Sequence, residues 1–309
     1  MKFDVLKLIY NNMGKNNSLT ESQLASLVYK LVKTKKLEGY IKEFRLVSDK
    51  SNINGKISIA KYINTKKAIY VNTEGIKELY EEVEASDLPF NDYEKTMYNY
   101  LLLIQVLLHE IEHANQSKKM ANDEGIESDL LKLSTGLVDY SIYSDLILEG
   151  YTAEEADQYL RILRYNRDLN YSENYQIAPH ERLADIKSWQ EIQDISEFIR
   201  DDESAPNLYD YIKFIKFQKM FNGYGTKNNT ITSPTIDYIL ANGYQDELEK
   251  FDWYDESYYT CLSHVTDKFS LEDRLVYGLP ISPQEYTVIN QVLEDLKIKS
   301  RRKNERLYR

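Results

Sequence analysis

One helical segment constrains this 309-residue chain more than any other part of its sequence. Residues Leu101–Leu108 are apolar except for Gln105, and they are followed directly by His109–His113, which are polar except for Ile111. A helix that is apolar nearly all round is buried, so we predict a buried central helix over residues 93–119. The apolar run is too short to span a bilayer, which needs about 20 apolar residues.

The overall composition is that of a globular protein and restricts the kinds of partner. Hydrophobic residues make up 42% of the chain, and the formal net charge is −11. An acidic surface argues against nucleic-acid and membrane partners, because both bind positively charged surfaces. The single cysteine, Cys261, excludes an intramolecular disulfide. The N-terminal residues lack the apolar core of a signal peptide, so we expect a cytoplasmic protein.

The pattern of residues predicts an α+β fold that is mostly α-helical. Residues 1–36 are predicted to form two helices, the second beginning at a Thr20 cap with Gln23 at its third position. Residues 40–75 contain β-branched and aromatic runs on both sides of a turn at Ser51–Gly55. These runs predict a small antiparallel sheet of three strands, which would pack on the central helix.

The rest of the chain is predicted to be helical. We expect further helices near residues 126–146, 153–168, 179–199, 207–221, 234–249, 271–277 and 283–302. Three regions follow from these elements. Residues 1–90 hold the N-terminal helices and the sheet, residues 91–200 form a helical region around the central helix, and residues 201–309 form a helical C-terminal region. We expect all three to form one compact unit.

Two histidines and a glutamate at the end of the central helix form the candidate site. His109 and His113 are four residues apart, so a helix places their imidazoles on one face about 6 Å apart, where both can bind one zinc ion. Glu110 lies at the edge of that face and can take a proton from a metal-bound water. Burying such groups without a metal would be costly. The alternative is a pair of surface histidines near a fraying helix end. Glu112 is predicted to point away from this face, and we assign it no catalytic role.

A catalytic zinc ion takes three protein ligands, so a third ligand is needed. Glu181 is the candidate, because it opens a predicted helix with Asp185 one turn further on the same face. Asp185 could accept the outer N–H of a ligating histidine. His180, Asp185 and Glu149 remain alternative third ligands. Glu181 and Asp185 also suit simple stabilisation of a helix N-terminus, and Arg182 would then be a surface ion-pair residue.

Three residues nearer the C-terminus are weaker candidates. His264 is either a packed or surface histidine or a stabiliser of the transition state. Arg274 and Tyr277 are three residues apart on one predicted helix face, so they either pack structurally or reach the cleft to stabilise an oxyanion.

A sheet, a helix with His-Glu-x-x-His and a later helix with Glu-x-x-Ala-Asp together resemble the zincin-like metallopeptidases with a glutamate third ligand, the gluzincins. Over roughly residues 56–190 the chain is similar to the ImmA/IrrE-type peptidases of bacteria and phages. The matching residues are His109, Glu110, His113, Glu181, Ala184 and Asp185. The sequence separation between His113 and Glu181 is longer than in that family. The resemblance implies one zinc ion, hydrolysis of peptide bonds and a substrate strand along the sheet edge beside the active helix.

Two functions from different classes are consistent with these residues. The first is a zinc metallopeptidase, a hydrolase acting on a protein or peptide, with Glu110 as general base and His109, His113 and Glu181 as ligands. The second is a non-catalytic regulatory protein on a zincin fold, with a structural zinc and a partner surface built from some of the 27 tyrosines. Glu110 favours the first, because a structural site needs no general base.

Overall fold

The computed structural model describes residues 19–50, 52–53, 56–122, 147–148, 150–156, 179–227, 230–232, 270–278 and 281–307. The helices are α1 (Glu21–Thr34), α2 (Thr73–Ala85), α3 (Asp92–Ala121), α4 (Pro179–Ser196), α5 (Leu208–Phe221), α6 (Leu271–Tyr277) and α7 (Pro283–Leu307). The strands are β1 (Glu43–Val47), β2 (Asn52–Ile53), β3 (Lys56–Ile57), β4 (Ala60–Ile63), β5 (Ala68–Asn72), β6 (Gly225–Lys227) and β7 (Thr230–Thr232).

Most predicted helices that fall within the described residues are confirmed. Helices α3 to α7 correspond to the predictions for 93–119, 179–199, 207–221, 271–277 and 283–302. A short 3-10 turn after α4 completes the predicted helix 179–199. The predicted helices near 126–146 and 234–249, and most of the one near 153–168, lie outside the described residues, as does the first N-terminal helix.

Helix α1 begins at the predicted cap. The Thr20 hydroxyl accepts the Gln23 N–H at 3.3 Å, and the Gln23 side chain accepts the Thr20 N–H at 2.8 Å. This reciprocal pair satisfies two backbone donors that the helix itself leaves without partners.

The small sheet has the order β1-β5-β4 and is mixed, so the prediction of an antiparallel sheet is wrong for one pair of strands. Strand β4 pairs with β5 antiparallel, whereas β1 pairs with β5 parallel. Strand β5 therefore lies between β1 and β4 in the sheet, although β4 precedes β5 in sequence. Alternation of residue types indicates which side chains share a face but carries no information on strand direction.

Helix α2 and the hairpin β6–β7 are elements that the sequence pattern did not predict. Asn72 caps α2 by accepting the Glu74 N–H at 3.2 Å. Gly75, in the first turn of α2, lies directly against the connection between β3 and β4. A Cβ atom at Gly75 would stand 2.7 Å from the Ser58 carbonyl oxygen, so glycine is required for this close approach.

The chain divides into two compact units. The first contains Met1–Lys118, Ala184–Phe217 and Val292–Arg309, and the second contains Lys119–Leu183 and Gln218–Gln291.

The predicted burial of α3 is confirmed. Its residues Met97, Leu101, Leu103, Ile104 and Leu107 are almost inaccessible to solvent and belong to the hydrophobic core of the first unit. Among the described helices, none is long and apolar enough to cross a membrane.

Candidate metal centre

Ligand atoms of His109, His113 and Glu181 all lie within 4.8 Å of one another. The two histidine Nε2 atoms are 3.1 Å apart, and their rings meet edge to face at 87°. For comparison, ligand atoms around a tetrahedral zinc with bonds of about 2.0–2.1 Å are about 3.3 Å apart. Glu181 is buried and the two imidazoles are half-buried. These three side chains therefore form a cluster that could hold a metal ion.

The other predicted ligands have different surroundings. The Nε2 atom of His180 lies 3.4 Å from the Glu181 carboxylate, and His180 is not part of the cluster. Asp185 also lies outside the cluster and accepts a hydrogen bond from Gln105 at 3.2 Å. Its predicted role in orienting a ligating histidine stays a prediction. Glu149 and His264 lie outside the described residues.

The orientation of His113 is set by Gln116, one helical turn further along α3. The Gln116 amide oxygen lies 3.0 Å from Nδ1 of His113, and Gln116 is almost fully buried. An amide oxygen can only accept a hydrogen bond, so this contact favours the tautomer with the proton on Nδ1. The lone pair of Nε2 is therefore available to a metal ion, as it is in metal-ligating histidines generally.

Glu110 is held against the edge of the small sheet. The backbone N–H of Tyr62, in the edge strand β4, donates to its carboxylate at 2.6 Å. This contact fixes the carboxylate on the side of α3 that faces the strand. Burial raises the pKa of the Tyr62 phenol well above its ordinary value, and the neighbouring Tyr40 raises it further. The phenol therefore stays protonated near neutral pH.

Polar contacts join α3 to α4 on both sides of His109 along α3. Gln105 donates to the Ser188 hydroxyl at 2.9 Å, one turn before His109. Glu112, which is buried, forms an ion pair with Lys187 at 3.5 Å. Glu112 thus has a partner on the neighbouring helix.

Arg182 is buried, so the alternative of a surface ion-pair residue is wrong. Its guanidinium donates to the backbone oxygens of Met220, Asn222 and Leu275, and it lies over the Tyr224 ring at 5.5 Å. Two of these carbonyls belong to the last turns of α5 and α6, where helices have acceptors without intrahelical partners and favour a cation. Arg182 therefore anchors the turn of α4 that carries Glu181 within the second unit.

Arg274 is engaged in a structural contact. Its guanidinium forms a paired contact with the Glu285 carboxylate, with distances of 2.5 and 3.2 Å. Hydrogen bonding to Arg274 lowers the pKa of Glu285 below its ordinary value. This pairing supports the packing interpretation of Arg274, and the side chain of Tyr277 lies outside those described.

Two contributors to this centre were not found from the sequence. Gln116 lies three residues after His113, so helical spacing alone would have placed it on the same face. The Tyr62 contact uses a backbone N–H, which leaves no signature in the sequence.

No known protein family, no curated protein and no solved structure shows a significant match to this chain.

Proposed function

We propose that this protein is a zinc-dependent metallopeptidase in which His109, His113 and Glu181 bind the metal and Glu110 is the general base. The observation that carries the proposal is the convergence of two imidazoles and one buried carboxylate within 4.8 Å. Two imidazoles and a carboxylate are the protein ligands of one class of hydrolytic zinc site. A bound zinc ion supplies a water of pKa about 7 and polarises a carbonyl group.

The chain's own residues would divide the remaining work. Glu110 would accept the proton of the attacking water and pass it to the leaving amine. The Tyr62 N–H keeps Glu110 in place, and the Gln116 amide oxygen keeps His113 in the tautomer that binds metal. A peptide substrate would lie along the outer edge of β4, next to Glu110.

The competing function is a structural zinc in a non-catalytic protein. Structural sites are usually closed by four protein ligands, whereas catalytic sites keep a position for water. Within the described residues the cluster contains three ligands. This count, together with a glutamate between the histidines, supports hydrolysis over a structural role.

The metal is tested first, on the full-length purified protein. We expect elemental analysis to find about one zinc ion per chain, and His109→Ala to lose it. A wild-type protein that takes up zinc only far below this ratio, even after zinc is added, would refute both the enzyme and the structural-zinc alternative.

The chemistry is tested with Glu110→Gln, using a mixed peptide library and mass spectrometry of the products. We expect zinc content to be kept and cleavage to fall about 10²- to 10⁴-fold, the usual contribution of a general base. Glu82→Gln, which makes the same substitution at an exposed position of α2 outside the cluster, is the control and should keep cleavage. Equal cleavage by Glu110→Gln and wild type would exclude the mechanism, and stable zinc without any cleavage would favour the structural alternative.

A further inference from the structure

Strand β4 is an edge of the three-stranded sheet, and its hydrogen bonds show which of its backbone groups point outward. The Asn72 N–H donates to the Ile59 carbonyl at 2.8 Å, across the antiparallel pairing of β4 with β5. Hydrogen-bonded and non-hydrogen-bonded pairs alternate along such a ladder. Lys61, two residues after Ile59, therefore directs its backbone groups toward β5, and Tyr62 directs its own outward. The hydrogen bond from the Tyr62 N–H to Glu110 agrees with this assignment.

The two faces of β4 differ in chemistry. Tyr62 belongs to the hydrophobic core, whereas Lys61 is exposed on the opposite face, here called the outer face of the sheet. Lys61 stands directly opposite Tyr70 of β5, and Tyr70 stands opposite Arg45 of β1. Lys66 follows β4 in a 3-10 turn, and its Nζ atom lies 3.3 Å from the Tyr70 hydroxyl. The outer face thus carries three cations beside one tyrosine.

Lys61 differs from the other two cations in its contacts. Arg45 forms an ion pair with Glu43, and Lys66 contacts both the hydroxyl and the ring of Tyr70. Among the residues that the structure describes, none forms a hydrogen bond or an ion pair with the Lys61 ammonium group. Lys61 is also the one cation of the three on the strand that contacts Glu110. Its charge is therefore placed for a side chain on a strand added to β4.

An exposed lysine on an edge strand also has a general explanation. Charged residues there prevent unwanted pairing between copies of a protein, and either sign of charge serves this purpose. Recognition of an acidic side chain needs a positive charge. The sign of the charge at position 61 therefore separates the two explanations.

We propose that Lys61 selects an acidic side chain in the peptide substrate, at the position directly opposite it on the strand added to β4. Opposite side chains of paired strands have Cβ atoms about 4.5–5.5 Å apart, which is within reach of an ion pair. Successive side chains of the substrate alternate between the two faces, so the neighbours of the acidic residue point toward the other face. Because Glu110 contacts the next residue, Tyr62, the acidic position should lie within about two residues of the cleaved bond.

The preference concerns one position and not acidic peptides in general. The chain has a net charge of −11, so its overall field repels an acidic peptide. Exposed charges farther apart than about 8 Å are largely screened at physiological ionic strength, and the local ion pair then decides. The proposal rests on the proposed function only in placing an extended peptide along β4.

The first experiment counts the residues around each cut in the mixed peptide library, using zinc-loaded full-length protein. We expect kcat/KM to be up to about fivefold higher with Asp or Glu than with Gln at one position, which is the range of exposed ion pairs. Lys61→Gln should remove this preference, and Lys61→Glu should replace it by a preference for Lys or Arg. Lys42→Glu makes the same charge reversal at an exposed residue next to β1, at the opposite edge of the sheet, and should behave like wild type.

The outcomes separate this inference from the peptidase activity. Melting temperatures of all three variants should match wild type, because the substituted residues are exposed. Cleavage without an enriched acidic position, or with the same preference in Lys61→Glu as in wild type, would overturn the role of Lys61 and leave the peptidase proposal intact. An equal change of preference in Lys42→Glu would attribute the effect to overall charge and would also overturn it.

A binding experiment gives a readout that needs no cleavage. Labelled decapeptides that repeat Thr-Glu, Thr-Gln or Thr-Lys present one kind of side chain on each face when extended. Their affinities are measured by fluorescence anisotropy with the Glu110→Gln protein in about 0.15 M salt, where long-range repulsion is screened. We expect the Thr-Glu peptide to bind most tightly and the Thr-Lys peptide least, with the order reversed when Lys61→Glu is added.

This experiment decides the case in which wild type cleaves nothing. The expected order of affinities without cleavage would refute the peptidase and keep the acidic subsite. A protein that neither cleaves the library nor binds the Thr-Glu peptide would refute both proposals.

Discussion

Gln116 offers a sharp test of how the candidate metal centre is built. We predict that Gln116→Leu weakens zinc binding without abolishing it. The Gln116 amide oxygen is 3.0 Å from Nδ1 of His113 and fixes which ring nitrogen carries the proton. Leucine has a similar size but cannot accept that hydrogen bond, so His113 is free to adopt the tautomer that protonates Nε2, which cannot bind metal.

The expected size of the effect follows from this single contact. Losing a hydrogen bond that orients a metal-ligating histidine typically costs 10- to 100-fold in metal affinity, which is about 1.4–2.7 kcal/mol of binding free energy. Gln116→Glu keeps an acceptor at the same position and adds a negative charge next to the ring. It should therefore bind zinc as tightly as wild type, or more tightly.

The assay is a competition titration at pH 7.4 against a chromophoric chelator, with melting temperatures measured for every variant. His113→Ala sets the scale, because it removes a ligand entirely. If Gln116→Leu binds zinc as tightly as wild type while His113→Ala loses binding, then Gln116 does not orient His113 and the reasoning fails. A drop of equal size in Gln116→Glu would point instead to disturbed packing of α3.

Three predictions concern stability. Glu94→Ala removes a fully buried carboxylate that accepts two backbone N–H groups at the start of α5. It should lower the free energy of unfolding, measured by urea denaturation, by about 3 kcal/mol, and a loss under about 1 kcal/mol would contradict this role. Gly75→Ala places a Cβ 2.7 Å from the Ser58 oxygen and should cost about 1–3 kcal/mol in the same assay, with an unchanged midpoint as the contrary result. Pairing with Arg274 lowers the pKa of Glu285 from its ordinary value of 4.5, so its stabilisation is complete above that value and is lost as pH falls through the lower folded pKa. Glu285→Gln should thus be less stable than wild type at pH 7 and approach it in strong acid, and a constant difference in melting temperature across this range would refute the linkage.

Features that depend on residues close together in sequence were predictable. The cap of α1 requires only Thr20 and Gln23, and the burial of α3 follows from the apolar run of residues 101–108, which only Gln105 interrupts. His109 and His113 meet because one helix fixes their separation. In each case the geometry of a single helix decides the outcome, and no information about the rest of the fold is needed.

Features that depend on pairing between distant segments were not predictable in the same way. The direction of β1 relative to β5 is set by the path of the chain around the sheet, which alternation along each strand does not encode. Helix α2 begins at the residue after β5, so the sequence pattern showed no boundary between the strand and the helix. The sequence also does not show whether Arg182 is buried or exposed. Its partners are backbone oxygens, which every residue carries and which no residue type identifies.

Glu181 illustrates why the candidate metal centre combines both kinds of feature. Sliding one packed helix along another would disrupt the apolar packing and would also separate buried polar pairs. The contacts of Gln105 with Ser188 and of Glu112 with Lys187 lie on either side of His109 along α3. A shift of this part of α4 along α3 would break both contacts. The spacing of His109 and His113 was therefore sufficient to suggest a metal site, whereas the choice of Glu181 among the candidate third ligands depends on packing between distant segments, which spacing along one helix does not give.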